Sequence, residues 1–210
     1  DLGCNNSDLG KILKEEKNCN ITAVDKIDKI QDSSNIDNFI SFDLNKGLPE
    51  INYNEFDYIL LLDVVEHLMS PEDFMISLKE KIDRNPNVEV IISTPNIGFL
   101  VIRIMLLFGI FNYGKRGILD KTHTRLFTFS TFKDLISQSG FILNHVSGIP
   151  APLPLVTGNN FLGKFLIKIN KILIFFSKKI FSYQIFCKIS PTSSIDLLLE
   201  QAKSNAEKSE

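Results

Sequence analysis

Asp1-Leu2-Gly3-Cys4-Asn5-Asn6-Ser7-Asp8, read together with Asp25, decides how the rest of this chain is understood. The run has the composition of a buried strand end, a tight turn and the first turn of a helix. Gly3 can take the positive φ that such a turn needs. Asn5, Asn6 and Ser7 turn the chain and cap helices, because their side chains bond nearby backbone N–H groups. A helix is expected from about Asp8 to Glu16, on the spacing of Leu9, Ile12 and Leu13. Asn20-Ile21-Thr22-Ala23-Val24 then reads as a strand that closes on an acid, Asp25. A strand, a turn at a helix N-terminus and a second strand ending in an acid form a nucleoside-binding βαβ unit.

Two nucleoside cofactors suit such a unit. A dinucleotide fingerprint wants Gly-x-Gly-x-x-Gly; from Gly3 that register meets Asn5 and Asp8, so two of the three glycines are missing. Asp8 would also stand where a pyrophosphate binds, and a carboxylate repels phosphate. S-adenosyl-L-methionine carries no phosphate, so the objection disappears. Its carboxylate can use the free N–H groups of the turn, and its ribose hydroxyls can donate to Asp25.

Further along, Phe56–Leu62 is a continuous apolar run, as expected of a strand covered on both faces. Asp63-Val64-Val65-Glu66-His67-Leu68 follows its carboxyl end, the edge that lines the ligand crevice in open α/β sheets. Ser70-Pro71-Glu72-Asp73 is a helix start, with Ser70 as cap and Phe74, Leu78 and Ile82 as the buried stripe. Val88–Ser93 is the next strand, stopped by Pro95. Thr128 and Gly140 punctuate another helix. Phe141–Val146 and Tyr183–Ile189 read as two antiparallel strands, and His145 alternates with apolar neighbours as a structural residue.

Asp1-Leu2-Gly3-Cys4, Asp25, the Phe56–Leu68 run, Ser93-Thr94-Pro95-Asn96 and Thr122-His123-Thr124-Arg125-Leu126-Phe127-Thr128 together resemble the class I S-adenosylmethionine-dependent methyltransferases. The likeness is to the ubiquinone-type and glycan-associated small-molecule branch, and it covers roughly residues 1–150. It implies an α/β, Rossmann-like doubly wound sheet, mostly parallel with an antiparallel last strand. The first strand would be largely missing, because the chain starts where that strand ends; an N-terminally incomplete sequence is expected. The family's turn usually has glycine where Asn5 and Ser7 stand. The resemblance places Asp1, Gly3, Asn5, Ser7, Asp25, Asp43, Leu44, Leu62 and Asp63 against the cofactor. Asp43 and Leu44 would lie beside the adenine.

Methyl transfer from a sulfonium asks for alignment and exclusion of water, plus a base when the acceptor is a hydroxyl. His123 is the candidate base, with a loop histidine bonded to backbone as the other reading. Glu66 and His67 are either polar groups beside the transfer centre or residues that orient their loop. Asn96, Tyr113 and Arg125 are expected at the acceptor; Arg125 could equally pair with Asp120. No metal site is expected, since the histidines are isolated in sequence and show no ligand spacing.

The remaining features bound the function. The chain has 210 residues, 44% of them apolar, enough for one domain with a real core. A net charge of −2 does not suggest a nucleic-acid partner. Three cysteines without paired spacing read as reduced thiols of a cytoplasmic protein. From Leu135 to Ile195 there are six lysines and no acid, so this stretch is +6 against −8 elsewhere. One domain over residues 1–190 is expected, with residues 150–182 as a helical elaboration between the last two strands and 191–210 as a polar tail. Within it, the helical stretch 161–181 carries Lys164, Lys168, Lys171 and Lys178 beside many apolar residues. It is either a packed cover or a segment lying on an anionic membrane, at the inner face of which a lipid-linked acceptor would be met. Residues 97–108 form an apolar helix, read as a core helix or as a cover over the acceptor. The competing functions are a non-catalytic cofactor-binding scaffold and, with less in its favour, an NAD-dependent oxidoreductase.

Overall fold

The computed structural model describes residues 1–6, 8–30, 36–83, 85, 87–154, 158 and 160–192. Strands β1 (Thr22–Asp25) and β2 (Asn38–Ser41) pair in parallel. Strands β3 (Tyr58–Leu62), β4 (Glu89–Pro95), β5 (Phe141–Ile149) and β6 (Gln184–Pro191) form a second sheet in the order β3-β4-β6-β5. β3 and β4 are parallel, whereas β6 runs antiparallel to both β4 and β5. The expected doubly wound, mostly parallel α/β arrangement is therefore present, and the last strand is inserted between two earlier ones.

Leu2 joins the two sheets. It makes a parallel bridge to Val24 on one side, and on the other its N–H donates to the Leu60 carbonyl at 2.9 Å. Two residues thus do the work of a strand between β1 and β3, and Leu2 is buried there. The switch in strand order falls at this seam, which is where open α/β sheets hold ligands.

Helices α1 (Asp8–Lys17), α2 (Pro71–Lys81), α3 (Leu100–Leu107), α4 (Phe129–Gln138), α5 (Phe161–Phe176) and α6 (Lys178–Phe181) complete the described elements. α4 has the punctuation read from sequence. Thr128 and Thr131 form a capping box, and Gly140 follows the helix with φ +80°. Phe129, Phe132, Leu135 and Ile136 recur at helical spacing and are buried against β5 and α2. α2 starts at Pro71 as expected, but Ser70 does not cap it. The Ser70 hydroxyl donates instead to the Asp73 carboxylate at 2.6 Å. Phe74, Met75, Leu78 and Ile82 join Leu61, Ile92, Ile136, Ile185 and Ile189 in the main core.

Three expectations about helices change. A second helix, expected somewhere in Lys26–Ser34, is not formed over the described part of that stretch: residues 26–28 run as bends, 29–30 are irregular, and 31–34 lie outside the described residues. The 161–181 stretch breaks at Ser177, whose extended backbone (φ −154°, ψ 94°) separates α5 from α6. α3 is no core helix: within it only Ile102 is buried, and Leu107 is 81% exposed. The possible helix at 195–202 lies outside the described residues.

Candidate functional site

The carboxyl ends of β1, β2, β3 and β4 bring Asp25, Asp43, Asp63 and Asn96 to one edge of the molecule. At the seam, the opening turn is wound onto the end of β1. Gly3 N–H (2.7 Å) and Cys4 N–H (3.1 Å) both donate to the Val24 carbonyl. Asn5 N–H donates to Asp25 Oδ2 at 2.7 Å, and Ile27 N–H to Asp25 Oδ1 at 3.3 Å. A carboxylate offers about four acceptor positions, so Asp25, half-buried here, keeps capacity for two sugar hydroxyls. Gly3 has φ +78°, and a Cβ on it would come 2.5 Å from Val64 Cγ2. The glycine is therefore required by the packing of the loop after β3 as well as by the turn. Asn5 has φ +49°. It occupies the left-handed region that a glycine would otherwise fill, which asparagine tolerates better than most residues. Ser7 lies outside the described residues.

Asp43 caps a short turn, accepting from Asn45 N–H at 3.0 Å, and Leu44 is buried beneath it. Asp63 has φ +55°, a conformation that stores about 1–3 kcal/mol in a non-glycine residue. Its carboxylate accepts from Ser93 Oγ at 2.9 Å and from Gln184 Nε2 at 2.6 Å. β6, the inserted strand, thus reaches back to hold the residue that ends β3. Asp1 pairs through its backbone carbonyl with Val24, and Leu62 is half-buried at the end of β3.

Next to Asp63 the fold assembles a cluster that spacing in the sequence did not indicate. Glu66 is 1% exposed, and neither of its carboxylate oxygens has a hydrogen-bond partner. Burial pushes its carboxyl up to about 8; the charge of Asp63 adds to this, while its own N–H and the Thr94 hydroxyl pull back. The Thr94 hydroxyl is itself buried and makes no hydrogen bond of good geometry. The rings of His67 and His123 meet edge to face, with centroids 4.7 Å apart. The two histidines, isolated in sequence, are in contact in the fold. His67 Nδ1 lies 3.1 Å from the Thr122 carbonyl oxygen, and His123 Nδ1 lies 2.9 Å from the Ile118 carbonyl oxygen. A carbonyl can only accept, so Nδ1 carries the hydrogen in both rings and Nε2 is left as the acceptor. Burial holds His67 below the usual histidine range.

A clamp positions His123 over Glu66. Thr124 N–H (2.8 Å) and Arg125 N–H (3.1 Å) donate to the Glu66 carbonyl, and Thr124 Oγ1 donates to Leu68 O at 2.6 Å. Asp120 shapes the approach, accepting from Thr122 N–H at 2.8 Å and from its hydroxyl at 2.7 Å. Thr124, Thr94, Ser93 and Gln184 escaped the sequence reading. The first three lie inside the quoted motifs and could have been singled out there, whereas Gln184 sits in a strand with no polar pattern to mark it.

The expected acceptor residues do not join this cluster. Asn96 is fully buried, and its amide is used up as a structural tie. Nδ2 donates to Lys179 O and Ser182 O, and Oδ1 accepts from Gly98 N–H. A side chain with its donors and acceptor so committed holds the crossover to α6 and not a substrate. Arg125 pairs with Glu72 at 3.1 Å, an exposed bridge, and not with Asp120. Tyr113 meets Phe111 edge to face, with centroids 5.5 Å apart. Two hollows of about 380 and 540 Å³ lie elsewhere. One is bounded by Phe129, Lys133, Val146 and Lys178; the other, near Tyr58 and Glu89, is at the opposite edge of the sheet.

Residues 1–139 match the family model described as "Methionine biosynthesis protein MetW". The chain belongs to the MetW family. The match ends at the close of α4, so the MetW region carries the opening turn, Asp25 and the whole Glu66 cluster, and leaves β5, α5, α6 and β6 outside. No curated protein matches the chain by sequence. Solved structures match its fold over most of its length. An S-adenosylmethionine-dependent methyltransferase from Archaeoglobus fulgidus has a TM-score of 0.57 at 17% identity, covering 91% of this chain and 84% of that one. One from Mesorhizobium loti has a TM-score of 0.56 at 14% identity, covering 90% and 88%. The [4+2]-cyclase SpnF has a TM-score of 0.56 at 9% identity, covering 92% and 74%. These likenesses establish the class I methyltransferase fold for this MetW member. The cyclase among them shows that the fold alone does not specify the reaction.

Proposed function

We propose that the chain transfers the methyl group of S-adenosyl-L-methionine to a hydroxyl of a small-molecule, glycan or lipid-linked acceptor. The observation that carries this reading is the shared strand edge. A turn braced by Asp25 stands at the seam of the sheet, and the Glu66, His67 and His123 cluster stands beside it. The ribose is held by Asp25, with Asp43 and Leu44 toward the adenine and Asp63 at the far side. The cluster receives the acceptor and manages its proton, while the loop around Thr124 keeps the geometry fixed. The likeness to ubiquinone-type O-methyltransferases supports oxygen as the methylated atom.

Calorimetric titration with S-adenosylmethionine, followed by transfer of labelled methyl to a panel of hydroxyl acceptors, tests the proposal. Binding followed by transfer is expected. No binding sinks it, and binding without transfer to any acceptor favours the non-catalytic scaffold. Titration with nicotinamide dinucleotide is expected to give no heat, because Asp8 heads α1 where the pyrophosphate would sit.

The exposed face of α5 favours a lipid-linked acceptor. Phe161 is 86% and Phe175 88% exposed, with Phe165, Ile172 and Phe176 also at the surface. Lys164, Lys168 and Lys171 are interleaved with them, whereas Lys178 turns inward to donate to Val146 O. An apolar face edged by lysines suits the surface of an anionic membrane. Among the described residues no helix is long and apolar enough to cross one. Salt-sensitive retention on liposomes containing anionic lipid is expected; no retention, or retention indifferent to salt, removes the membrane reading.

A further inference from the structure

We propose that Glu66, His67 and His123 form a binding site for one divalent transition-metal cation, in the class of zinc or cobalt. The ligand atoms these residues offer all lie within 4.8 Å of one another. Donors about 2.1 Å from a common ion are at most about 4.2 Å apart. In a tetrahedral site the donors lie about 3.4 Å apart, so side-chain movements of about an ångström close the set.

Three independent features point to a cation. Glu66 is a buried carboxyl with no partner for either oxygen, an arrangement that costs free energy unless something binds there. Both histidines spend Nδ1 on a backbone carbonyl, which leaves the Nε2 lone pair available, as in metal-binding histidines whose tautomer is fixed by a second contact. The backbone clamp from Thr124 and Arg125 to the Glu66 carbonyl holds the loop that carries His123 against the turn that carries Glu66 and His67. Two imidazoles and one carboxylate select borderline ions over magnesium or calcium, which prefer oxygen alone.

This inference rests on the proposed methyl transfer for its role. Three protein ligands leave at least one position open, and the acceptor oxygen takes it. The hydroxyl gives its proton to solvent and its oxygen attacks the methyl carbon. The carbon–sulfur electron pair leaves with sulfur, and the metal changes neither charge nor ligand count.

The purified chain, stripped with chelator, is titrated with zinc chloride by calorimetry and with cobalt chloride by visible absorbance. Magnesium chloride is the comparison, and cofactor binding is measured in parallel. One ion per chain is expected, with cobalt bands of low coordination number and weak or no response to magnesium. His67→Ala and His123→Ala should each weaken zinc binding more than about tenfold. Glu66→Gln, nearly isosteric, should do the same without unfolding the protein. The proposal is overturned if no ion binds while the chain still binds S-adenosylmethionine, or if zinc affinity is unchanged in Glu66→Gln and both histidine variants. An ion bound at these residues without cofactor binding upholds the site and sinks the methyl-transfer reading instead.

Discussion

The opening turn and the Glu66 cluster stand side by side at the same strand edge and are built on opposite terms. Around Gly3, Asn5 and Asp25 the polar groups are paired: turn N–H groups with the Val24 carbonyl, the Asp25 carboxylate with Asn5 and Ile27. In the cluster, Glu66 and Thr94 are buried with side-chain oxygens unpaired. At the turn, Asp25 keeps spare acceptor capacity beside its paired partners. In the cluster, the buried Glu66 carboxyl costs free energy until something binds it. Cofactor binding should accordingly depend on Asp25, whereas the Glu66 cluster should respond to the loss of a single contact.

The largest break in the comparison is expected at Gly3. Gly3→Val meets both the positive φ and the Val64 side chain, and should destabilise the protein by about 2–5 kcal/mol in a denaturant midpoint. A stable Gly3→Val protein would mean the turn is looser than its hydrogen bonds imply. Asp25→Ala should weaken S-adenosylmethionine binding by about 1–3 kcal/mol by calorimetry, the value of a charge-assisted acceptor. Unchanged affinity would remove Asp25 from the sugar site. Thr124→Val keeps the shape but strips the donor from Leu68 O, and should cost about 1–2 kcal/mol of stability. It should also lower zinc affinity by releasing His123; a variant that binds zinc as well as the parent would show that the clamp does not position the cluster.

The smallest effect concerns Asp37, which holds the N-terminal region by accepting from Lys14 and from Ile21 N–H. The Lys14 hydrogen bond, then that of Ile21, holds this carboxyl below the usual carboxylate range. A carboxyl depressed in the folded state contributes stability above its unfolded value and loses it as pH falls through the folded one. Acid unfolding should therefore be slightly less steep in Asp37→Asn below about pH 4. Identical acid profiles would show that the exposed pair contributes nothing measurable.

How much could be read beforehand depended on distance along the chain. α4 was legible because Thr128, the Phe129–Ile136 stripe and Gly140 are local signals within one helix. α5 and α6 were merged because nothing in the residues around Ser177 announces a break. α3 stayed open between a core helix and an exposed cover because apolar content cannot tell the two apart; which face is covered depends on neighbours far away in sequence. Asn96 was placed correctly on the crevice loop, yet its amide was claimed by carbonyls of Lys179 and Ser182.

Its order of residues alone determined an α/β domain with a βαβ opening, because turn glycines, strand-ending acids and helix caps act over a few residues at a time. Only the tertiary structure decided that Glu66, His67 and His123 come together, that β6 reaches Asp63 through Gln184, and that α5 presents its apolar face outward. Those juxtapositions arise where strands from distant parts of the chain pair and bury one another. No spacing rule along the chain encodes them, since the free energy that fixes them comes from packing of the whole sheet.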